Sequence, residues 1–157
     1  MSKIVLARID DRLIHGQVMT AWLQYTGGNH IVIVDDQTAA DDFTKTIIKM
    51  AVPMGISLDI LTVAEAPAII NNLSTDKKVI ILTKEPAVYV SLIENDVKIS
   101  NVIIGGMGAS KKRKKFYKNI SASEEEVEDF RKIISHGVDL KVHVIPDEKS
   151  VAIDNLL

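Results

Sequence analysis

Chemistry in this chain can be built around His15. It lies in the densest polar stretch of the sequence, Arg8-Ile9-Asp10-Asp11-Arg12-Leu13-Ile14-His15-Gly16-Gln17. A neutral imidazole is a competent nucleophile near its ordinary pKa of about 6.5. Arg8 and Arg12 supply fixed positive charge, and guanidinium forks match phosphate oxygens. Asp10 or Asp11 could orient the ring by accepting from one nitrogen, which leaves the other free to attack. If a helix begins at or just after His15, the free backbone N–H groups from Gly16 and Gln17 onward form an anion site. Together these features suit a histidine that carries a phosphoryl group. A loop histidine among charges is equally often a solvated surface residue, and the residue types alone leave both readings open.

Other chemistries are excluded more readily. The chain has no cysteine, so it holds no disulfide framework and no thiolate metal or redox site. His30, His136 and His143 are scattered without metal-ligand spacing, so no metal is expected. No Walker-type lysine loop is present, which makes another phosphoprotein the expected donor rather than a nucleoside triphosphate. The net charge of −2 gives no bulk argument for nucleic acid. The one strong charge run, Lys111-Lys112-Arg113-Lys114-Lys115, lacks interleaved aromatic residues. It reads as a solvated loop, remote from His15, that tunes docking on an acidic partner or anionic lipid headgroups. Ile4–Ala7 is too short for a signal-peptide core, and no window approaches the roughly 20 apolar residues of a membrane span. A cytoplasmic protein is expected.

The elements that must position His15 follow from hydrophobic patterning. Ile4–Ala7, Ile31–Val34, Leu58–Leu61, Val79–Leu82 and Val102–Ile104 are short Val- and Ile-rich runs that suit strands buried on both faces. Amphipathic stretches separate them. Val18–Tyr25 stops at Gly27-Gly28, and Asp41/Asp42 to Met50 stops before Pro53. Thr62 and Glu65 have capping-box spacing, although Pro67 argues for a later helix start. Pro86 opens a helix running to about Glu94. Phe116–Ile120 reads as a strand, Ser123 and Glu126 as a second capping box, and Val138–Ile145 as an alternating strand. The expectation is an α/β single domain over residues 1–157, with about seven strands in a mostly parallel, mixed sheet and five helices on both faces. The His15 loop then leaves the carboxyl end of the first strand, where ligands bind in such sheets. Asp35-Asp36 and Gly105-Gly106-Met107 end neighbouring strands. Asp35 or Asp36 could anchor the loop or serve only as turn chemistry. The glycines could admit a phosphate or sugar, or simply turn the chain.

The Arg8–Val18 stretch resembles the signature of the IIB subunits of the mannose/fructose/sorbose class of the bacterial sugar phosphotransferase system. The resemblance continues through Trp22, Val34-Asp35-Asp36, Met50-Ala51-Val52-Pro53-Met54-Gly55, Gly105-Gly106-Met107, Gly137-Val138 and Val144-Ile145-Pro146. It implies a seven-stranded sheet flanked by helices, and a histidine, His15, phosphorylated through Nδ1 by a IIA partner. It further implies transfer to a sugar moved by the membrane subunits IIC and IID, no cofactor, and peripheral association with the inner face of the membrane. A signalling receiver domain is the main rival. It requires an Asp after strand three and a Lys after strand five, where this chain has Ile60-Leu61-Thr62 and Gly105-Gly106. A second rival is a phosphorylated regulatory homologue that docks on a partner without transferring to sugar.

Overall fold

The structure, a computed structural model, describes residues 3–157; Met1 and Ser2 lie outside the described residues. The chain runs β1 (Lys3–Asp10), α1 (Gly16–Thr26), β2 (His30–Val34), α2 (Asp36–Ala39), α3 (Asp42–Ala51), β3 (Ser57–Leu61), α4 (Ala66–Asn71) and β4 (Lys78–Thr83). It continues α5 (Pro86–Glu94), β5 (Asn101–Gly106), β6 (Lys114–Tyr117), β7 (Ile120–Ala122), α6 (Glu124–Ser135), β8 (Asp139–Val142), β9 (Val151–Ala152) and a 3₁₀ turn at Ile153–Leu156.

A seven-stranded sheet in the order β3-β2-β4-β1-β5-β8-β9 forms the centre. All its pairings are parallel except β8 with β9. The apolar runs form strands here because both faces are covered. Ile31 and Ile33 of β2 face a core completed by Met19, Trp22 and Leu23 of α1 and Ile48 of α3. Val32 and Val34 face the larger core, which holds Ile70 of α4, Tyr89 and Leu92 of α5, and Phe130 and Ile133 of α6. Period-two alternation of β-branched residues thus serves two cores at once.

Local signals set the helix ends. Gly27 (φ 71°) closes α1 in the left-handed region, its N–H donating to the Leu23 carbonyl at 2.9 Å. Asp41 caps α3, and Ser123 with Glu126 forms a full capping box on α6.

The chain leaves β1 toward β2 on one side of the sheet and later crosses to β5 on the other side of β1. The carboxyl end of β1 is therefore a topological switch point.

Several expectations are corrected. Phe116–Ile120 is not one strand. Lys118 takes φ 46° and folds the segment into the antiparallel β6–β7 hairpin, separate from the main sheet. The strand expected over Val138–Ile145 ends at Val142, because Val144 turns its carbonyl inward to two buried donors. A sixth helix, α2, forms where Asp35 caps a single turn. In keeping with the expectation from Pro67, α4 starts later than Thr62, at Ala66, and Thr62 and Glu65 pair just ahead of it, the Glu65 carboxylate accepting from the Thr62 N–H and hydroxyl.

Candidate active site

The loop between β1 and α1 holds its shape through backbone turns. The Asp11 N–H donates to the Gly106 carbonyl and the Leu13 N–H to the Asp10 carbonyl, both at 3.0 Å. Leu13 takes φ 58°, left-handed backbone that a leucine rarely adopts. Its side chain is buried in the α1–α3 core, and that anchoring pays for the strained turn. His15 is the N-cap of α1, with extended backbone (φ −122°, ψ 100°) and its carbonyl accepting from Met19. His15, Gly16 and Gln17 are exposed. The imidazole caps nothing, and neither Asp10 nor Asp11 bonds to it. The free N–H groups that open α1 therefore flank an imidazole open to solvent.

Arg8 is fully buried. Its Nη1 donates to Asp10 Oδ2 at 2.5 Å and its Nη2 to the Val144 carbonyl at 3.0 Å. Burial lowers the Arg8 pKa, with Asp10 opposing that effect. Asp10 shares its two oxygens between Arg8 and Arg12. Oδ1 accepts from the Arg12 N–H at 2.9 Å and from Nε at 3.1 Å, and Oδ2 also accepts from Nη2 at 3.1 Å. Burial pushes the Asp10 carboxyl up, but hydrogen bonds from Arg12 and the charge and hydrogen bond of Arg8 outweigh it and hold the group below the usual carboxylate range. The Arg12 side chain is 48% exposed, and its pKa is raised, chiefly by Asp10. Asp10 fixes the inner edge of this guanidinium, and Nη1 makes no protein hydrogen bond among the described residues.

Arg8 and Arg12, alike in sequence, thus divide into a buried support and an exposed cation. Gly105 and Gly106 leave room for that support. A Cβ at Gly105 would lie 2.0 Å from Arg8 Nη2, and one at Gly106 would lie 2.9 Å from Asp10 Oδ1.

Asp11 looks outward along the sheet edge. Its carboxylate accepts from the Gly108 N–H at 2.6 Å and from Arg113 Nη1 at 2.9 Å through both oxygens. Arg113 also donates from Nε and Nη2 to the two oxygens of Glu126, each at 2.8 Å. The basic run is therefore not wholly solvated: its arginine is largely buried and bound to the His15 loop. Patterning missed this, and the one available signal was a single Arg among four Lys.

Asp35 does not reach the loop. Its Oδ2 caps α2 through Thr38 and lies 3.6 Å from Lys84 Nζ. Trp22 is buried, its Nε1 donating to the Val144 carbonyl at 3.0 Å and its ring meeting His143 edge-on. His30 is buried against Asp59 at 2.7 Å. Among the described residues no group of three or more His, Asp or Glu could hold a metal ion, and no helix is long and apolar enough to cross a membrane. A cavity of about 560 Å³ lies beside the loop, between Asp10–Arg12 and the β6–β7 turn.

Comparison with known proteins shows the family and the fold. The sorbose-specific EIIB component of Lacticaseibacillus casei is 35% identical over 148 residues, covering 94% of this chain and 90% of that protein. The IIB domain of the sorbose permease from Klebsiella pneumoniae superposes with a TM-score of 0.93 at 32% identity, covering 98% of this chain and 94% of that one. The mannose-specific EIIAB component of Escherichia coli K12 is 34% identical over 155 residues. The chain spans about half the length of that relative: 98% of this chain matches 48% of it. The family model for the PTS system sorbose subfamily IIB component matches residues 4–157, and the chain belongs to that family.

Proposed function

We propose that this protein is a sugar phosphotransferase subunit that receives a phosphoryl group on His15 Nδ1 from a phosphorylated IIA partner and delivers it to a sugar held by the IIC and IID membrane subunits. The observation that carries this reading is an exposed imidazole at the N-terminus of α1, on the same short loop as a guanidinium held from behind by a buried carboxylate. In the first step the ring lone pair attacks phosphorus, and the bond from phosphorus to the donor histidine breaks. In the second, a sugar hydroxyl oxygen attacks the same phosphorus. The N–P bond of His15 breaks, its electron pair returns to the ring, and the hydroxyl proton is released to water.

The chain's own residues supply positioning and charge. Arg12 and the N–H groups that open α1 face the phosphoryl oxygens, where preorganised donors lower the barrier. Asp10 keeps Arg12 aimed, and Arg12 and Arg8 together keep Asp10 ionised. The relatives' names cover sorbose, fructose, mannose and N-acetylgalactosamine, and the reading places sugar selection in the membrane subunits. The site of action is the cytoplasmic face of the membrane.

The test is to incubate the protein with phosphorylated IIA and map the acid-labile phosphate. Label is expected on His15 alone, and His15→Ala should take up none. Phosphate on His30, His136 or His143 would overturn the assignment. Adding membranes that carry IIC and IID, with a panel of sugars, should discharge the label to one sugar class.

A further inference from the structure

We propose that Arg113 is a positioning residue for the phosphoryl-transfer loop, which it clamps to the N-terminus of α6 through Asp11. This rests on the reading of His15 as the phosphorylated residue. Three observations carry it.

The first is geometry. The Arg113 side chain is only 13% exposed, and all three guanidinium nitrogens are committed. Nε and Nη2 pair side by side with the Glu126 carboxylate, while Nη1 meets both Asp11 oxygens and lies 3.3 Å from the Gly108 carbonyl. A planar fork can hold two carboxylates at fixed angles; an ammonium on a flexible stem cannot.

The second is that both anchors are themselves fixed. Glu126 Oε1 accepts from the Ser123 N–H within the capping box of α6, so Arg113 is tied to a helix end. Burial pushes the Glu126 carboxyl up, but Arg113 and Ser123 hold it below its usual range. Asp11 in turn is pinned by the Gly108 and Gly106 backbone.

The third is need. Asp11 directly precedes Arg12 and stands two residues before the left-handed Leu13. A strained non-glycine turn persists only where its surroundings over-determine it. Asp10 supplies one restraint from the sheet side, and the Asp11–Arg113–Glu126 chain supplies the other from the α6 side.

The experiment compares wild type, Arg113→Ala and Arg113→Lys by three readouts. In single-turnover transfer from phosphorylated IIA at saturating donor, Arg113→Ala should be slower by about 10- to 100-fold, the scale of loss that follows small misplacement of reacting groups. Arg113→Lys should recover most of the thermal stability, since it restores charge beside Glu126, but little of the rate. Amide hydrogen exchange at Leu13, whose N–H donates to the Asp10 carbonyl, should speed up in both variants while exchange in β2 and β4 stays slow. That last readout needs no partner, so it separates this proposal from the reading of His15: if wild type takes no phosphate on His15 yet exchange at Leu13 responds, the clamp stands and the functional reading falls. Transfer at the wild-type rate in both variants, or unchanged exchange at Leu13, would overturn the proposal. So would a rate loss that merely tracks the loss of melting temperature.

Discussion

Asp10 and Asp11 are chemically identical and adjacent, yet each answers to a different arginine. Asp10 is buried and holds Arg12 from behind; Asp11 faces the hairpin and holds Arg113. On the proposed reading the half-exposed Arg12 guanidinium meets the incoming phosphoryl group, so Arg12→Ala should slow single-turnover transfer by about 100-fold or more. It should affect stability much less than rate, because the half-exposed side chain leaves no cavity and the buried Asp10 carboxylate keeps its bonds from Arg8 and from the backbone N–H of residue 12. Comparable losses of rate and stability would mark Arg12 as structural. The same carboxylates set the acid limb of stability. Asp10 and Glu126 both titrate lower in the folded chain than in the unfolded one. Their contribution is fully present above the unfolded values of about 3.9 and 4.3 and is lost as pH falls through the folded values. Urea midpoints should therefore be level between about pH 5 and 7 and fall below about pH 4. Glu126→Gln should be less stable than wild type at neutral pH and converge with it near pH 2. A gap that stays constant with pH would show that the Glu126 charge does not contribute.

At the level of elements, β1 and β5 meet across glycines cut to fit two buried side chains. Gly105→Ala would drive a methyl group into the Arg8 guanidinium, so it should cost about 1–3 kcal/mol, the usual range for overpacking. Gly16→Ala, with open space around its Cβ, should be nearly neutral to stability, and paired denaturation curves check the contrast. Much of this architecture was legible beforehand, because strands buried on both faces must read as apolar runs and helix ends carry caps. His15 at a helix start was legible for the same reason. Phe116–Ile120 was not, since nothing in Tyr117-Lys118-Asn119 announces a left-handed lysine. Arg8 as a buried support was hidden as well: its burial depends on Gly105 and Val144, distant positions that no local pattern links to it. Arg113 was obscured by its lysine neighbours, because a charge run looks solvated until tertiary contacts single out one member.

Across the whole molecule, a net charge of −2 coexists with a concentrated basic patch on the hairpin side. Lys111, Lys112, Lys114 and Lys115 are exposed, and none forms an ion pair among the described residues. Replacing these four with Gln, and leaving Arg113 in place, should slow association with IIA at low salt but not transfer within the formed complex. The difference should fade as the screening length drops toward about 8 Å at physiological ionic strength. Stopped-flow traces across a salt series separate the two steps, and a salt-independent loss would show that the lysines do more than steer. The Val144 carbonyl has a consequence of another kind. It accepts from Arg8 and from Trp22, partners made long before it when the ribosome builds the chain from residue 1 onward. Until Val144 leaves the exit tunnel, Arg8 Nη2 and Trp22 Nε1 lack the acceptor they share in the folded chain. The β1–α1 loop should therefore be among the last parts to settle, and on the proposed reading a half-made chain has no finished site to accept a phosphoryl group.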